Sequence, residues 1–298
     1  MKNRTQTAPW IRRALLLMAA AGLTVGTSMA WAAPGKTHKE TRIDIAPGGA
    51  LNIVSGGGSV TLHSGGGRQV MVSYTTHSDK VEVDQNSSSN NQRVELRTHV
   101  LPEQKPTTDE AGVDFDVTVP SDVSVNVSTT SAPVNADGLS GDIGLSSETG
   151  QITVRNSSKA HVRVRSMTGG VTLNNVTLSR VEIQSAGGTV MLTRVTGQRV
   201  SVGTTSGNIE YHGDCSGGGD YILTTHTGAI DVTLPPTASV DLTARSTKGS
   251  VENEFPLEEK SHNSFVPQSG RSFAGTSNSG SSSVELQSFS GKIRVKKQ

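Results

Sequence analysis

"TGGVTLNNVTLSRVEIQS", residues 168–185, alternates apolar and polar residues twice, with a glycine pair before the first run. Nearly the same grammar recurs 19 residues earlier and 19 residues later. With Φ for an apolar residue, the repeated unit is Φ-x-Φ-x-[ST]-x-x-G-x-Φ. Copies begin at Ile143, Val162, Val181, Val200, Tyr221 and Val284 and reach Ile152, Val171, Val190, Ile209, Ile230 and Ile293. Val125 to Val134 keeps the interval but has Ala132 in place of glycine, and Val240 to Val251 stretches it to eleven. The fifth position is a hydroxyl: Thr129, Ser147, Ser166, Ser185, Thr204, Thr225 and Ser288. The eighth is Gly150, Gly169, Gly188, Gly207, Gly228 and Gly291.

A fixed hydroxyl and a fixed glycine imply one repeated corner. Glycine adopts a positive φ cheaply, and Ser or Thr can bond the backbone of its own turn. The closing residues start a second run, such as Ile152-Thr153-Val154 or Val171-Thr172-Leu173, so one period holds two short strands and two turns. A period near 19 is too short for a propeller blade of roughly 40 to 50 residues or a strand-helix-strand unit of about 30. A meander would need about sixteen consecutive strands, more than open twisted sheets usually hold. The reading is therefore all-β: a single elongated parallel β-solenoid (β-helix), with coils of about 19 residues and two strands per coil. Each coil stacks about 4.8 Å from the last. One coil cannot bury its apolar row alone, whereas stacked coils share a core and satisfy each other's backbone groups.

Composition agrees. The 298 residues include 32 Val, 38 Ser, 33 Thr and 33 Gly, with aromatics at 3%. β-branched residues favour strands and Gly and Ser favour turns, so the interior is expected to be thin and aliphatic. Residues 1–32 read as an export signal: Lys2, Arg4, Arg12 and Arg13, an apolar stretch from Ala14 to Val25, and Ala30-Trp31-Ala32 as a cleavage site. The pair Arg12-Arg13 leaves a twin-arginine route open, with general secretion preferred. Removing these residues takes four of 27 basic side chains and none of 26 acidic ones, leaving 23 − 26 = −3. That charge gives no case for nucleic acid binding. No other segment is apolar enough to span a membrane. One cysteine, Cys215, cannot form an internal disulfide.

The expected organisation is a signal over 1–32, a flexible leader over 33–41 and a β-solenoid domain over 42–298. Within that domain, 42–119 form irregular N-terminal coils and a cap, and 120–255 the regular coils. A Ser/Gly-rich excursion covers 256–283 and a terminal coil 284–298.

The elements "TSGNI", "HTGAI" and "FSGKI", with "FDVTVPSDVSVNVSTTSAPV" (115–134) and "ARSTKGSVENEFP" (244–256), carry a family resemblance. The chain resembles the putative adhesin family of bacterial envelope proteins, a domain of unknown function. That resemblance covers most of the mature chain and implies a β-solenoid in an exported or envelope-linked protein, without a known catalytic residue set.

Three constellations were weighed for chemistry. "HGDCSGGGDY" (212–221) imitates a glycine-flanked nucleophile turn at Cys215, with His212 or His226 as base, yet it lies where a corner is two residues longer and no helix follows. His212, Asp214, Cys215 and His226 lack the tight pair spacings of zinc sites. Glu210, Asp231 and Glu252 occupy equivalent outward positions and form the serious enzymatic rival, since carboxylates on neighbouring rungs of a glycan-cleaving β-helix can lie about 5 to 9.5 Å apart. Outward polar residues are expected at those positions in any case. Calcium is not expected, because Asp after a glycine run occurs only in "GGGDYIL" (217–223). "GKT" (35–37) lacks the upstream glycine of a phosphate loop.

No catalytic, cofactor or metal residue is assigned. The expected role is a non-enzymatic exported scaffold or adhesin-like surface, periplasmic or at the cell surface, meeting envelope polysaccharide or protein. A polysaccharide-active enzyme is the first alternative. Self-association into filaments through uncapped coil ends is the second.

Overall fold

The computed structural model describes residues 35–159, 161–259 and 268–298; the expected signal over 1–32 lies outside the described residues. Ala32–Gln298 forms one compact unit. The N-terminal strands are β1 His38–Asp44, β2 Ala50–Ser55, β3 Gly57–Gly65, β4 Gln69–Thr76, β5 Val81–Ser87, β6 Arg93–Val100 and β7 Gly112–Pro120. The central ones are β8 Ser124–Thr129, β9 Val134–Asp137, β10 Ile143–Ser147, β11 Ile152–Arg155, β12 His161–Ser166, β13 Val171–Ser185, β14 Val190–Thr204, β15 Ile209–His212, β16 Asp220–Thr225 and β17 Ile230–Leu234. The last are β18 Val240–Ser246, β19 Val251–Asn253, β20 Glu258–Glu259, β21 Ser272–Ser277, β22 Ser282–Ser288 and β23 Ile293–Lys297. The fold is all-β and the sheet is mixed: parallel ladders run through its centre and antiparallel pairs lie at its ends.

Two parallel rows follow from the repeat. In the first, Ile143 faces Val162, Val162 faces Val181, Val181 faces Val200 and Val200 faces Tyr221. In the second, Val134 faces Ile152, Ile152 faces Val171, Val171 faces Val190 and Val190 faces Ile209. β13 and β14 serve both rows, their first halves in the second row and their last halves in the first. The inward residues of both rows, from Leu51 and Val60 to Leu286 and Val295, form one buried aliphatic cluster. Each contributes roughly 1.5–3 kcal/mol through burial.

Sequence order and stacking order differ at both ends. β22 lies between β16 and β18, with Tyr221 facing Val284 and Leu242 facing Val284 from the other side. β23 likewise lies between β17 and β19. The segment expected as a terminal coil is therefore interposed, and the coil of β18 and β19 lies outside it. At the other end β2 and β3 sit between β8 and β9 on one side and β6 and β7 on the other. The register exposes two further copies of the unit, Leu51 to Val60 and Leu242 to Val251. The second begins at Leu242 and has the ordinary interval with Ser246 and Gly249 in place, so the eleven-residue stretch from Val240 is corrected. Val240 and Leu242 point to the same face, and a period of two cannot choose between them.

The ends are covered, contrary to the bare coil ends that the filament reading requires. β4 pairs antiparallel with β7, and β1 with β4. β5 pairs antiparallel with β6, β21 with β18, and β20 with β21. The outermost strands include β1 (HKETRID) and β5 (VEVDQNS), whose charged and amide side chains discourage further strand addition. The flexible leader expected over 33–41 is shorter, because β1 starts at His38. The excursion over 256–283 carries β20 and β21, with 260–267 outside the described residues.

His77 ties the N-terminal cap together. Its Nδ1 lies 2.9 Å from the Asp109 carbonyl and its Nε2 2.8 Å from Asp114 Oδ2, while Ser59 Oγ donates to Asp114 Oδ1 at 2.7 Å. The bond to Asp114 raises the His77 pKa above 6.5 and outweighs the lowering by burial. Burial pushes the Asp114 carboxyl up, yet its bonds to His77 and Ser59 hold it below 3.8. The His77 contribution is complete below pH 6.5 and disappears as pH rises through its folded value. That of Asp114 is complete above pH 3.8 and disappears as pH falls through its own. The stability margin of wild type over His77→Gln is thus expected to be widest in mildly acidic buffer and to shrink on the alkaline side. Melting curves of both proteins from pH 4 to 9 check this, and a margin that grows with pH would contradict it.

Candidate functional site

The repeated corner is built as the hydroxyls imply, but its glycine has another reason. Ser166 Oγ donates to the Gly169 carbonyl at 2.6 Å, Ser185 to Gly188 at 3.0 Å and Thr204 to Gly207 at 2.6 Å, all buried. Among the glycines at this position only Gly58 has a positive φ, +85°. The others are needed because the coils approach too closely for a side chain. A Cβ on Gly169 would lie 2.1 Å from the Gly150 carbonyl oxygen, one on Gly188 2.0 Å from that of Gly169, and one on Gly207 2.1 Å from that of Gly188. This column holds the rungs in register and fixes where outward side chains stand.

The carboxylate column does not run as its sequence spacing implies. Glu210 stands beside Asp231, but Asp231's other neighbour is Arg294, and Glu252 lies beyond Arg294. Arg294 holds Asp231 with two bonds, Nε to Oδ1 at 2.5 Å and Nη2 to Oδ2 at 2.7 Å, which raise the arginine's pKa. Lys292 Nζ lies 2.6 Å from Glu252 Oε1. The interposed β23 thus brings a counter-charge to both aspartate oxygens and separates Asp231 from Glu252. A bidentate guanidinium pair is an orienting and charge-neutralising contact and leaves Asp231 poorly placed for proton transfer.

Cys215 is the inward residue of its longer corner. Its thiol is buried, and burial pushes its pKa up to about 12. Its amide donates to Tyr211 Oη at 3.2 Å, Tyr211 Oη donates to the Val195 carbonyl at 3.0 Å, and Ser282 Oγ donates to the Cys215 carbonyl at 2.6 Å. His212 is exposed, and His226 stacks on Phe289 with ring centres 4.7 Å apart. A nucleophile needs a thiolate beside a base, and this thiol is held protonated within the core. Native protein is expected to resist a water-soluble thiol reagent at pH 8 that labels it quantitatively after denaturation; labelling at the rate of a free thiol would contradict this. Among the described residues no three His, Cys, Asp or Glu side chains come together as a metal site.

The open recesses lie on the outward face of the first row. One, of about 430 Å³, is lined by Asn52, Asn126, Ser128, Ser146, Arg163 and Arg165, with Gly144 on its floor. A Cβ there would meet Asn126 Oδ1 at 2.5 Å. Neighbouring rungs place Arg180 beside His161 and Arg199 beside Arg180. Glu182 is bonded by Arg163 Nε at 3.1 Å and Arg180 Nη2 at 2.6 Å, which hold its carboxyl below the usual carboxylate range. A second recess of about 510 Å³ lies beside the His226–Phe289 stack and includes Arg245, Thr224 and Gln287.

Residues 49–296 match the sequence family described as Toastrack DUF4097. The chain belongs to that family. The Toastrack match spans β2 to β23, so it includes the interposed C-terminal strands and leaves β1 outside. Solved structures similar to the chain include a putative cell adhesion protein from Clostridium sporogenes, 14% identical over 88% of this chain and 100% of that one, with a TM-score of 0.31. A putative adhesin from Bacteroides fragilis is 11% identical over 88% and 98%, with a TM-score of 0.43. Another from Parabacteroides distasonis is 13% identical over 88% and 97%, with a TM-score of 0.48. No curated protein sequence matches the chain significantly. No helix among the described residues is long and apolar enough to cross a membrane.

The basic cluster of this Toastrack domain is absent from the sequence reading above. Arg163 and Arg165 occupy outward positions of one unit, and Arg180 and Arg199 precede the first position of the next two. Aligning the polar columns period by period, as was done for the hydroxyls and glycines, would have found them.

Proposed function

We propose that the chain is a non-enzymatic, exported β-solenoid of the cell envelope, acting as a scaffold or adhesin-like binding surface in the periplasm or at the cell surface. The observation that carries this reading is the register: parallel rungs repeat outward polar side chains along two rows and leave shallow polar grooves between them. Such a surface binds by many weak contacts, and stacking supplies their number. The counter-charged state of Asp231 and the buried thiol of Cys215 weigh against a hydrolytic role.

The test is co-sedimentation of the mature protein with isolated envelope material, together with incubation against a glycan panel. Retention on the envelope fraction and no shortened glycan is the expected outcome. No retention, or shortening that disappears when Glu210, Asp231 and Glu252 are replaced by alanine, would overturn it.

A further inference from the structure

We propose that the groove over β2, β8, β10 and β12 binds a segment of anionic polysaccharide, whose carboxylate or phosphate groups meet Arg163 and Arg165 and continue toward Arg180 and Arg199. The proposal rests on the surface-binding reading above and names its ligand class.

The face is locally basic although the mature chain carries a formal −3. Four arginines stand on β12, β13 and β14, and Glu182 is the one acid among their outward neighbours on those strands. Two of the four already bond Glu182, while Arg165 and Arg199 enter no ion pair among the described residues. All four are exposed. An unpaired guanidinium beside a recess offers planar, bidentate donors to a carboxylate or phosphate.

The recess suits a sugar chain better than the other polyanions or a protein. Its floor is Gly144, and Ser128 and Ser146 place small hydroxyls along it. Asn126 Nδ2 donates to Asn52 Oδ1 at 3.3 Å, so an amide pair lines the far wall. Hydroxyls and amides bond sugar hydroxyls in either sense. Without an aromatic side chain in the lining there is no stacking platform for nucleic acid bases. A protein partner would seek an apolar centre, which this recess lacks. Four rungs at about 4.8 Å give a trough of about 14 Å between the outer strands, open at its ends and suited to a linear repeating ligand.

Polygalacturonate, phosphomannan and neutral dextran, each immobilised, separate the two anion sources from sugar binding alone. Wild type is expected to be retained at low salt by at least one of the charged polymers, to be released as salt rises, and to pass through dextran. Arg163→Gln with Arg165→Gln should weaken retention about tenfold or more at an unchanged melting temperature. Ser146→Trp, which fills the groove and keeps every charge, should do the same. Passage of wild type through both charged polymers, equal retention on dextran, or unchanged retention of both variants overturns the proposal. If wild type and R163Q/R165Q bind envelope material equally, this site is removed and the surface role stands. If wild type does not bind envelope material at all, the role itself falls.

Discussion

A chain ended after Ser281 is expected to lose far more structure than the 17 residues removed. Those residues carry β22 and β23, which pair with β16 and β17 on one side and with β18 and β19 on the other. Val284, Leu286, Ile293 and Val295 are all buried, at 0–2% exposure. Losing four such side chains removes roughly 6–12 kcal/mol of burial, comparable with the whole stability of an ordinary domain at about 5–15 kcal/mol. β19 would lose its only strand partner, and β18 would keep only β21. Limited proteolysis of the truncated protein should therefore cut rapidly throughout 240–277, well before the new terminus is approached. Protection of 240–277 equal to that in the full chain would show that the last strands merely decorate an already closed end.

Gly188→Ala is the second large effect. The added Cβ would fall 2.0 Å from the carbonyl oxygen of Gly169, and that neighbour is backbone in the middle of a ladder. Neither coil can retreat without breaking its own rungs, so the clash is shared among several hydrogen bonds. A cost of about 3 kcal/mol is expected, at the upper end of ordinary overpacking, with Tm lowered by roughly 6–12 °C. Gly203→Ala is the matched control. It lies in β14, and nothing approaches its Cβ position within 4 Å, so its effect should stay within about 0.5 kcal/mol. Equal melting temperatures for the two variants would contradict the close-approach account of the glycine column.

Much of the fold is legible because a parallel ladder repeats every side-chain requirement at each rung. Val162, Val181 and Val200 meet the same aliphatic column, and Ser166 and Ser185 make the same turn bond. What the grammar cannot carry is stacking order. Val284 to Ile293 obeys the unit wherever it is inserted, and its place between β16 and β18 depends on a return of the chain through β21. Gly188 is conspicuous in the sequence, but a repeated glycine is equally consistent with a positive φ and with close approach, and only the neighbouring carbonyl decides. The Glu210–Asp231–Glu252 column failed for the same reason as the coil order: the spacing was right, but Arg294 stands in the gap. Arg163 and Arg165 looked like ordinary solvated strand charges until the rungs set them beside Gly144 and the Asn52–Asn126 pair.

The most direct test of the stacking order is disulfide formation between outward cysteines in a Cys215→Ser background. Ile222 faces Glu285, and Glu285 faces Thr243. Neighbouring rungs about 4.8 Å apart lie within disulfide reach, whereas rungs about 9.6 Å apart do not. Ile222→Cys with Glu285→Cys, and Glu285→Cys with Thr243→Cys, should therefore each cross-link on mild oxidation, while Ile222→Cys with Thr243→Cys should stay reduced. Cross-linking of Ile222→Cys with Thr243→Cys, and failure of the Ile222 and Glu285 pair, would place the coils in plain sequence order and contradict the interposed strand.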